Sequence, residues 1–146
     1  MKDLHSQINI ASLGLPPAIY AADSTPVAVD RQGYEAVEIV LDIAVGGITF
    51  TGTNKVEFVL THSDDNTTYT NVTDADVKGV TGISNGIIKS LIVAHAAETV
   101  HRFGYIGGKR YLKLLADFSG THGVGTGLAA VALLGAPMVA AVADQG

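Results

Sequence analysis

The sequence predicts an all-β domain, an antiparallel β-sandwich or barrel, and three observations lead to it. Residues 34–43 alternate between apolar and polar side chains, which is the pattern of a half-buried strand. Shorter alternating segments recur along the chain, separated by turns rich in glycine, asparagine and aspartate. No segment of useful length has the apolar spacing of a helix. The 146 residues, of which 47% are hydrophobic, fit one domain with enough apolar material for a core.

Residues 1–30 differ in character from the rest, and we interpret them as an extended N-terminal arm preceding a sandwich or barrel at 31–146. Pro16, Pro17 and Pro26 lack a backbone donor, so this segment is not a central strand throughout. An arm would lie on a neighbouring subunit, with a short edge pairing near residues 7–12. The alternative is an ordinary first strand followed by a loop. The candidate interaction residues of the arm are Ile8, Ile10, Leu13 and Leu15.

Residues 34–43 are predicted to form the central strand of the domain. A polar turn closed by Gly33 leads into them. A helix would place Glu38 and Asp42 beside apolar neighbours, whereas a strand separates them onto the opposite face. β-branched side chains favour the extended conformation as well. The strand is therefore expected to direct one apolar row into the core: Val37, Ile39, Leu41 and Ile43.

The remaining strands follow from the same alternation. They are expected at 48–51, 55–62, 67–72, 87–94, 100–106, 109–117 and 128–134. Residues 74–80 are predicted to be a loop or a brief helical turn, and residues 119–127 a flexible glycine-rich loop. One core is expected to contain Val37, Ile39, Leu41, Val56, Phe58, Leu60, Leu112 and Leu114. The alanine-rich end to Ala143 is interpreted as a strand plus an extended tail, because Gly135 and Pro137 interrupt a run too short for a membrane span.

Composition narrows the classes of function. The net charge of -5 argues against a nucleic-acid partner, because such a protein needs a basic footprint to neutralise phosphates. Cysteine is absent, so disulfides and thiolate sites are excluded. The charged opening of the chain does not resemble a secretory signal, and no membrane partner is expected.

No enzymatic activity, no metal and no cofactor are expected from the motifs. His62 with Asp64 and Asp65 is interpreted as a solvated hairpin turn rather than a metal site, since the spacing of a calcium loop is missing. The glycines of residues 123–127 resemble a dinucleotide-binding loop, but too few residues follow them for the βαβ unit that such a loop requires. No Gly-x-Ser-x-Gly elbow favours a catalytic triad.

The densest basic segment is a candidate interaction site. Arg102, Lys109 and Arg110 lie close together in the sequence around a predicted Gly107–Gly108 turn. Two interpretations remain open at this point. The three cations form either an electrostatic anchor for an acidic partner surface or a solvated hairpin end.

Four segments carry a resemblance to a known class of protein. They are Met1–Ser6, residues 30–38, the turn at residues 62–65 leading to Tyr69, and residues 104–111. In their order and spacing they resemble small structural proteins of tailed bacteriophages and prophages, of the head decoration or capsid cement type. The resemblance implies a virion protein that is made in the bacterial host cytoplasm and binds the major capsid protein on the capsid exterior. It implies no catalytic residues.

A protein of this kind is expected to be a homo-oligomer, a trimer before a dimer, because symmetric assemblies match symmetric shell sites. Two other functions remain as alternatives. A phage tail-tube or neck protein would also be a small β-domain, but a basic inner lining would suit it better than this acidic chain. A glycan-binding β-sandwich would need exposed aromatic platforms, whereas tryptophan is absent and the five tyrosines are scattered in the sequence.

Overall fold

A computed structural model describes residues 3–138. One 3-10 turn, His5–Gln7, precedes ten strands in this range. The strands are β1 (Ile8–Tyr20), β2 (Val29–Asp30), β3 (Tyr34–Ile43), β4 (Lys55–Ser63), β5 (Thr70–Asn71), β6 (Val77–Lys78), β7 (Ile87–Leu91), β8 (Thr99–Tyr105), β9 (Tyr111–Ser119) and β10 (Thr126–Pro137).

Two antiparallel sheets pack together. The first has the strand order β1-β10-β3-β8-β6, and the second has the order β2-β9-β4-β5, with β7 also paired to β4. Each sheet has two open edges, so the fold is a β-sandwich rather than a closed barrel. The predicted all-β class is confirmed.

The predicted central strand is confirmed in its bounds and its position. β3 lies in the middle of the first sheet, where Ile39 pairs with Ala132 of β10 and with Phe103 of β8. Its apolar row faces the second sheet and is almost fully buried. Strands buried on one face specify their own register, because a slip by one residue would expose that whole row.

All eight residues predicted to share one core are buried in a single cluster between the sheets. Three strands supply them, β3 from the first sheet and β4 and β9 from the second, and none of the eight is more than 3% exposed. β10 completes the core from the first sheet with Leu128, Ala130, Ala132 and Leu134. Small alanines at this position let the two sheets approach closely.

Of the segment predicted to be an arm, the described residues 3–30 begin with a 3-10 turn and continue as a strand that is part of the sandwich, not an arm outside it. Residues 8–20 form β1, which pairs with β10 at the edge of the first sheet. Leu13 and Leu15 are 0% and 1% exposed in the core of their own chain, so these two candidate interaction residues are not available to a partner. Two register shifts, on either side of Leu15, accommodate the prolines at an edge where missing donors are tolerated.

The chain then crosses from the first sheet to the second. Ser24 exchanges hydrogen bonds with Ala116 of β9, with its amide 3.1 Å from the Ala116 oxygen and its hydroxyl accepting the Ala116 amide at 2.9 Å. Residues 29–30 follow as β2 beside β9. The ordinary first strand followed by a loop, the alternative to the arm, therefore describes this part of the structure.

Several shorter elements differ from their predicted extents. Residues 48–51 form no strand, although Phe50 is 2% exposed and fills the core from a loop. Strands expected at 67–72 and 87–94 shrink to β5 and β7, while the predicted loop at 74–80 contains β6. Alternation reports which side chains are buried, whereas a strand also needs a neighbouring backbone to pair with.

The glycine-rich segment before β10 is an inter-strand connection, as expected, and it packs closely on β1. Gly125 has φ +91°, and a Cβ there would lie 2.5 Å from the Tyr20 carbonyl oxygen. Only glycine fits this combination of backbone angle and contact. The predicted tail beyond Met138 lies outside the described residues. Within residues 3–138, no helix is long and apolar enough to cross a membrane.

Candidate functional site

The three cations of the predicted basic site do not form one cluster. Lys109 and Arg110 lie in the connection between β8 and β9, at one end of the sandwich. Arg102 lies within β8, where it pairs with Val40 and faces outward from the first sheet. Of the three cations expected to lie together, only Lys109 and Arg110 do so, and Arg102 belongs to a different surface.

Both cations of the turn have a carboxylate partner in the same chain. Arg110 binds Asp30 through two hydrogen bonds, Nε to Oδ1 and Nη2 to Oδ2, each 2.8 Å long. These bonds lower the pKa of Asp30. Lys109 Nζ lies 3.9 Å from Asp64 Oδ2. Because each positive charge is offset nearby, the turn itself is a weak anchor for an acidic partner.

Next to this turn the fold assembles a surface that the sequence does not reveal. We call it the tyrosine–cation patch and define it as Tyr69, Arg110, Tyr111 and Lys113. The Arg110 guanidinium carbon lies 4.9 Å from the centre of the Tyr111 ring, and Lys113 Nζ lies 4.4 Å from the centre of the Tyr69 ring. These contacts have the geometry of cation–π interactions. Tyr69 and Tyr111, which are far apart in the sequence, therefore belong to one surface of the folded protein.

β9 and the loop after β4 position the patch. Tyr111 and Lys113 alternate with the buried Leu112 and Leu114, so both point outward from the second sheet. Tyr69 arrives from the loop between β4 and β5 and donates a hydrogen bond from its hydroxyl to Asn66. Hydrogen bonds to the Asp65 side chain organise this loop.

Asp65 accepts three hydrogen bonds inside that loop. They come from the amides of Thr68 and Thr67, at 2.8 Å and 2.9 Å, and from the Ser63 hydroxyl, at 2.8 Å. The amides contribute most to a lowered pKa of Asp65, which falls to about 2. The carboxylate is therefore charged at neutral pH.

The turn that carries Arg110 wraps around the hydroxyl of Tyr105. The Lys109 amide donates to that hydroxyl at 3.1 Å, and a Cβ on Gly107 would lie 2.5 Å from the same oxygen. Gly107 therefore has to lack a side chain. The Arg31 amide donates to the Arg110 carbonyl at 3.0 Å, which ties the turn to the segment between β2 and β3.

His62 is a buried residue of β4 and not part of a solvated hairpin turn. It is 6% exposed, and its Nδ1 lies 2.8 Å from the hydroxyl of Tyr105, so this hydrogen bond joins the two sheets. Asp64 and Asp65 lie on the exposed loop beyond it, and Asp65 is engaged with loop amides. The two aspartates do lie in a solvated turn, as predicted. His62 does not, because it is one of the inward-facing residues of β4.

Burial lowers the pKa of His62, with Asp76 and Asp64 opposing the shift and Lys109 adding to it. An imidazole with a folded-state pKa below its ordinary value destabilises the fold when it takes up a proton. The unfolded chain binds that proton first, near pH 6.5. We therefore expect the free energy of unfolding to be highest above that pH and to fall as the pH drops from 7 towards 5, as urea unfolding at each pH would measure.

The matched variant for this test is His62→Gln, which keeps a polar side chain but does not titrate. His101 also has a lowered pKa because of burial, so the wild-type slope contains both histidines. The slope between pH 7 and pH 5 should be smaller in His62→Gln than in the wild type. An identical slope in the two proteins would contradict the assignment to His62.

The outer face of the first sheet carries a second candidate surface. We call it the apolar strip and define it as Val40, Ala129, Val131 and Leu133. Val131 pairs with Val40 across β10 and β3, and both side chains point away from the core. Val131 is 39% exposed, and Ile10 of β1, 49% exposed, lies opposite Leu133 at the margin of the strip. Ile8 is half-buried at the start of the same strand.

Charged residues border the apolar strip on β3 and β8. Glu38 of β3 and Arg102 of β8 lie on adjacent strands, and both point outward. Glu38 is opposite Gly104, so Arg102 lies diagonally across from it, two residues along β8. Asp42, four positions beyond Glu38 on β3, shares a hydrogen bond with Glu98, which raises the pKa of Glu98. Glu38 and Arg102 form no ion pair with any residue between 3 and 138.

Groups of three or more His, Asp or Glu side chains that could surround a metal ion do not occur in the described part of the chain. The sequence was also compared with known proteins. No protein-family model matches it, and no curated protein matches it.

Proposed function

We propose that this chain is a structural protein of a tailed-bacteriophage virion that decorates and stabilises the capsid by binding the major capsid protein from outside. The observation that carries the proposal is the tyrosine–cation patch and its surroundings. Three of the four segments with the phage resemblance meet there: Asp30 of residues 30–38 binds Arg110 of residues 104–111, and Asp64 of the turn at residues 62–65 lies beside Lys109. The resemblance therefore concentrates on one surface.

The composition of the patch suits a protein partner. Tyrosine and arginine are enriched at the energetic centres of interfaces, because they bring large contact areas at a small cost in side-chain entropy. The two cation–π contacts already hold the side chains in place, so little further ordering is needed on binding. Lys113 forms no ion pair with a described carboxylate, so a partner surface that offers a carboxylate fits it.

The rest of the described fold supports a passive, structural role. A sandwich with a continuous core presents Tyr111 and Lys113 of the patch on β9, a strand that pairs with β4 along its whole length. Rigid elements keep an interaction surface in one geometry, as a protein that bridges shell subunits requires. Catalysis and a resident cofactor are not part of this proposal.

The test is to produce the chain together with the major capsid protein encoded in the same genome and to purify the assembled shells. The chain should co-sediment with intact shells, and cryo-electron microscopy should show it on their outer surface with the patch facing the shell. A chain that stays in the supernatant while shells assemble would overturn the proposal. Density on a tail or neck would favour the alternative virion role.

The double variant Tyr69→Ala/Tyr111→Ala should bind shells at least about tenfold more weakly, because both rings are lost from the centre of the contact. Lys113→Glu should weaken binding too. Its matched control is Lys78→Glu, the same charge change at an exposed position of β6 in the other sheet. Equal binding by Lys113→Glu and Lys78→Glu would place the contact somewhere other than the patch.

A further inference from the structure

We propose that the outer face of the first sheet binds a second copy of this chain across a two-fold axis, with the apolar strip at its centre. This surface lies on β3 and β10, whereas the tyrosine–cation patch lies on β9 and on the loop before β5. The two surfaces belong to opposite sheets. One copy can therefore bind a shell and a second copy at the same time, and the pairing does not depend on the capsid proposal.

The outer face of the first sheet is apolar along the strip on β3 and β10. Outward positions of a strand that faces water are ordinarily polar. Here Val40 and Val131 are direct cross-strand neighbours, and Leu133 lies two residues along β10. The side chains sit on two adjacent inner strands of the sheet and not at a frayed edge. Contiguous apolar patches in this setting mark contact surfaces.

The charged residues beside the apolar strip indicate that its partner is a second copy of the chain. Glu38 and Arg102 border the strip with opposite signs, and neither forms an ion pair with a residue that the structure describes, although their strands are adjacent. The Glu38 carboxylate instead leans over Gly104, where an added Cβ would lie 3.2 Å from Oε2. A face with one unpaired acid and one unpaired base is complementary to itself. In a two-fold pair, each Glu38 meets the Arg102 of the other copy.

The geometry of sandwiches permits this contact. Two sheets pack face to face about 10 Å apart with their strands roughly aligned, which is the distance that valine and leucine side chains fill. Because a two-fold contact uses the same patch twice, one apolar strip is sufficient. A two-fold pair also differs from the trimer expected from the sequence, so the number of copies decides between them.

The experiment measures the mass of the purified full-length chain by analytical ultracentrifugation across a concentration series, without any capsid protein. The wild type should move from monomer to dimer as the concentration rises. Val131→Glu should remain monomeric at concentrations at which the wild type is a dimer. Its matched control is Val124→Glu, the same substitution at a position that is 83% exposed in the loop before β10, which should still dimerise.

Charge reversal tests the two-fold arrangement itself. Glu38→Arg alone and Arg102→Glu alone should each raise the dimer dissociation constant, and the double variant Glu38→Arg/Arg102→Glu should restore it towards the wild-type value. Thermal unfolding of each variant shows that it is folded.

A wild type that stays monomeric at every concentration, or that forms a trimer, would overturn the proposal. Dimers unaffected by Val131→Glu would overturn the choice of face. Val131→Glu that abolishes shell binding in a protein that never dimerises would show that the capsid protein covers the strip instead. Since the patch variants test shell binding separately, failure of one proposal is distinguishable from failure of the other.

Discussion

A chain that begins at Val27 is expected not to fold. Such a chain lacks β1, the edge strand that pairs with nine positions of β10, and it loses Leu13 and Leu15 from the core. β10 would then become an exposed edge, and the core would open on that side. Circular dichroism and proton NMR should show no cooperative transition and no dispersed signals. An arm lying on a neighbour would leave the body folded, and that result would contradict β1.

Point variants test the same strand without removing it. Leu13→Ala should lower the free energy of unfolding by about 2–5 kcal/mol, because a fully buried leucine leaves a cavity. The matched control is Leu4→Ala, at a leucine that is 70% exposed, where the change should stay within about 0.5 kcal/mol. Equal effects of the two substitutions in urea unfolding would show that β1 does not pack on the core.

Ile39→Ala should destabilise the protein by about 2–5 kcal/mol. Ile39 is 0% exposed at the middle of the central strand, and both neighbouring strands pack beside it, so the structure has little room to close the cavity. A typical domain has a total stability of about 5–15 kcal/mol. The variant is therefore expected to lose a large fraction of its stability, as the midpoint of urea unfolding would show.

The control for this variant is Ile19→Ala, the same substitution at an isoleucine that is 71% exposed at the end of β1. It should change the midpoint little, since a side chain already in water leaves no cavity when it is shortened. If Ile39→Ala left the midpoint unchanged, the assignment of β3 to the core would be wrong.

The strands that alternate cleanly, and the direction in which their side chains face, could be predicted from the sequence alone. Residues 34–43 match β3, residues 55–62 match β4 within one residue, and the apolar residues predicted to be buried on both strands are buried, whereas the burial of His62 at the end of β4 was not predicted. The physical reason is local. Successive side chains of a strand point to opposite faces. A strand that is buried on one face therefore has apolar residues at alternate positions, and this pattern is visible in the sequence.

The pairing of these strands, and the contacts made between residues at their ends, could not be predicted from the sequence and depend on the folded structure. The local sequence around Leu13 and Leu15 would be the same in an arm as in an edge strand. These residues belong to the core because their strand pairs with β10, more than 100 residues later in the chain. Tyr69 and Lys113 are brought into contact, and so are His62 and Tyr105, by strands and loops far apart in the chain. Alternation reports which side chains are buried within a strand, but not which strand lies next to it. The surfaces through which this protein is proposed to act could therefore be seen only after folding.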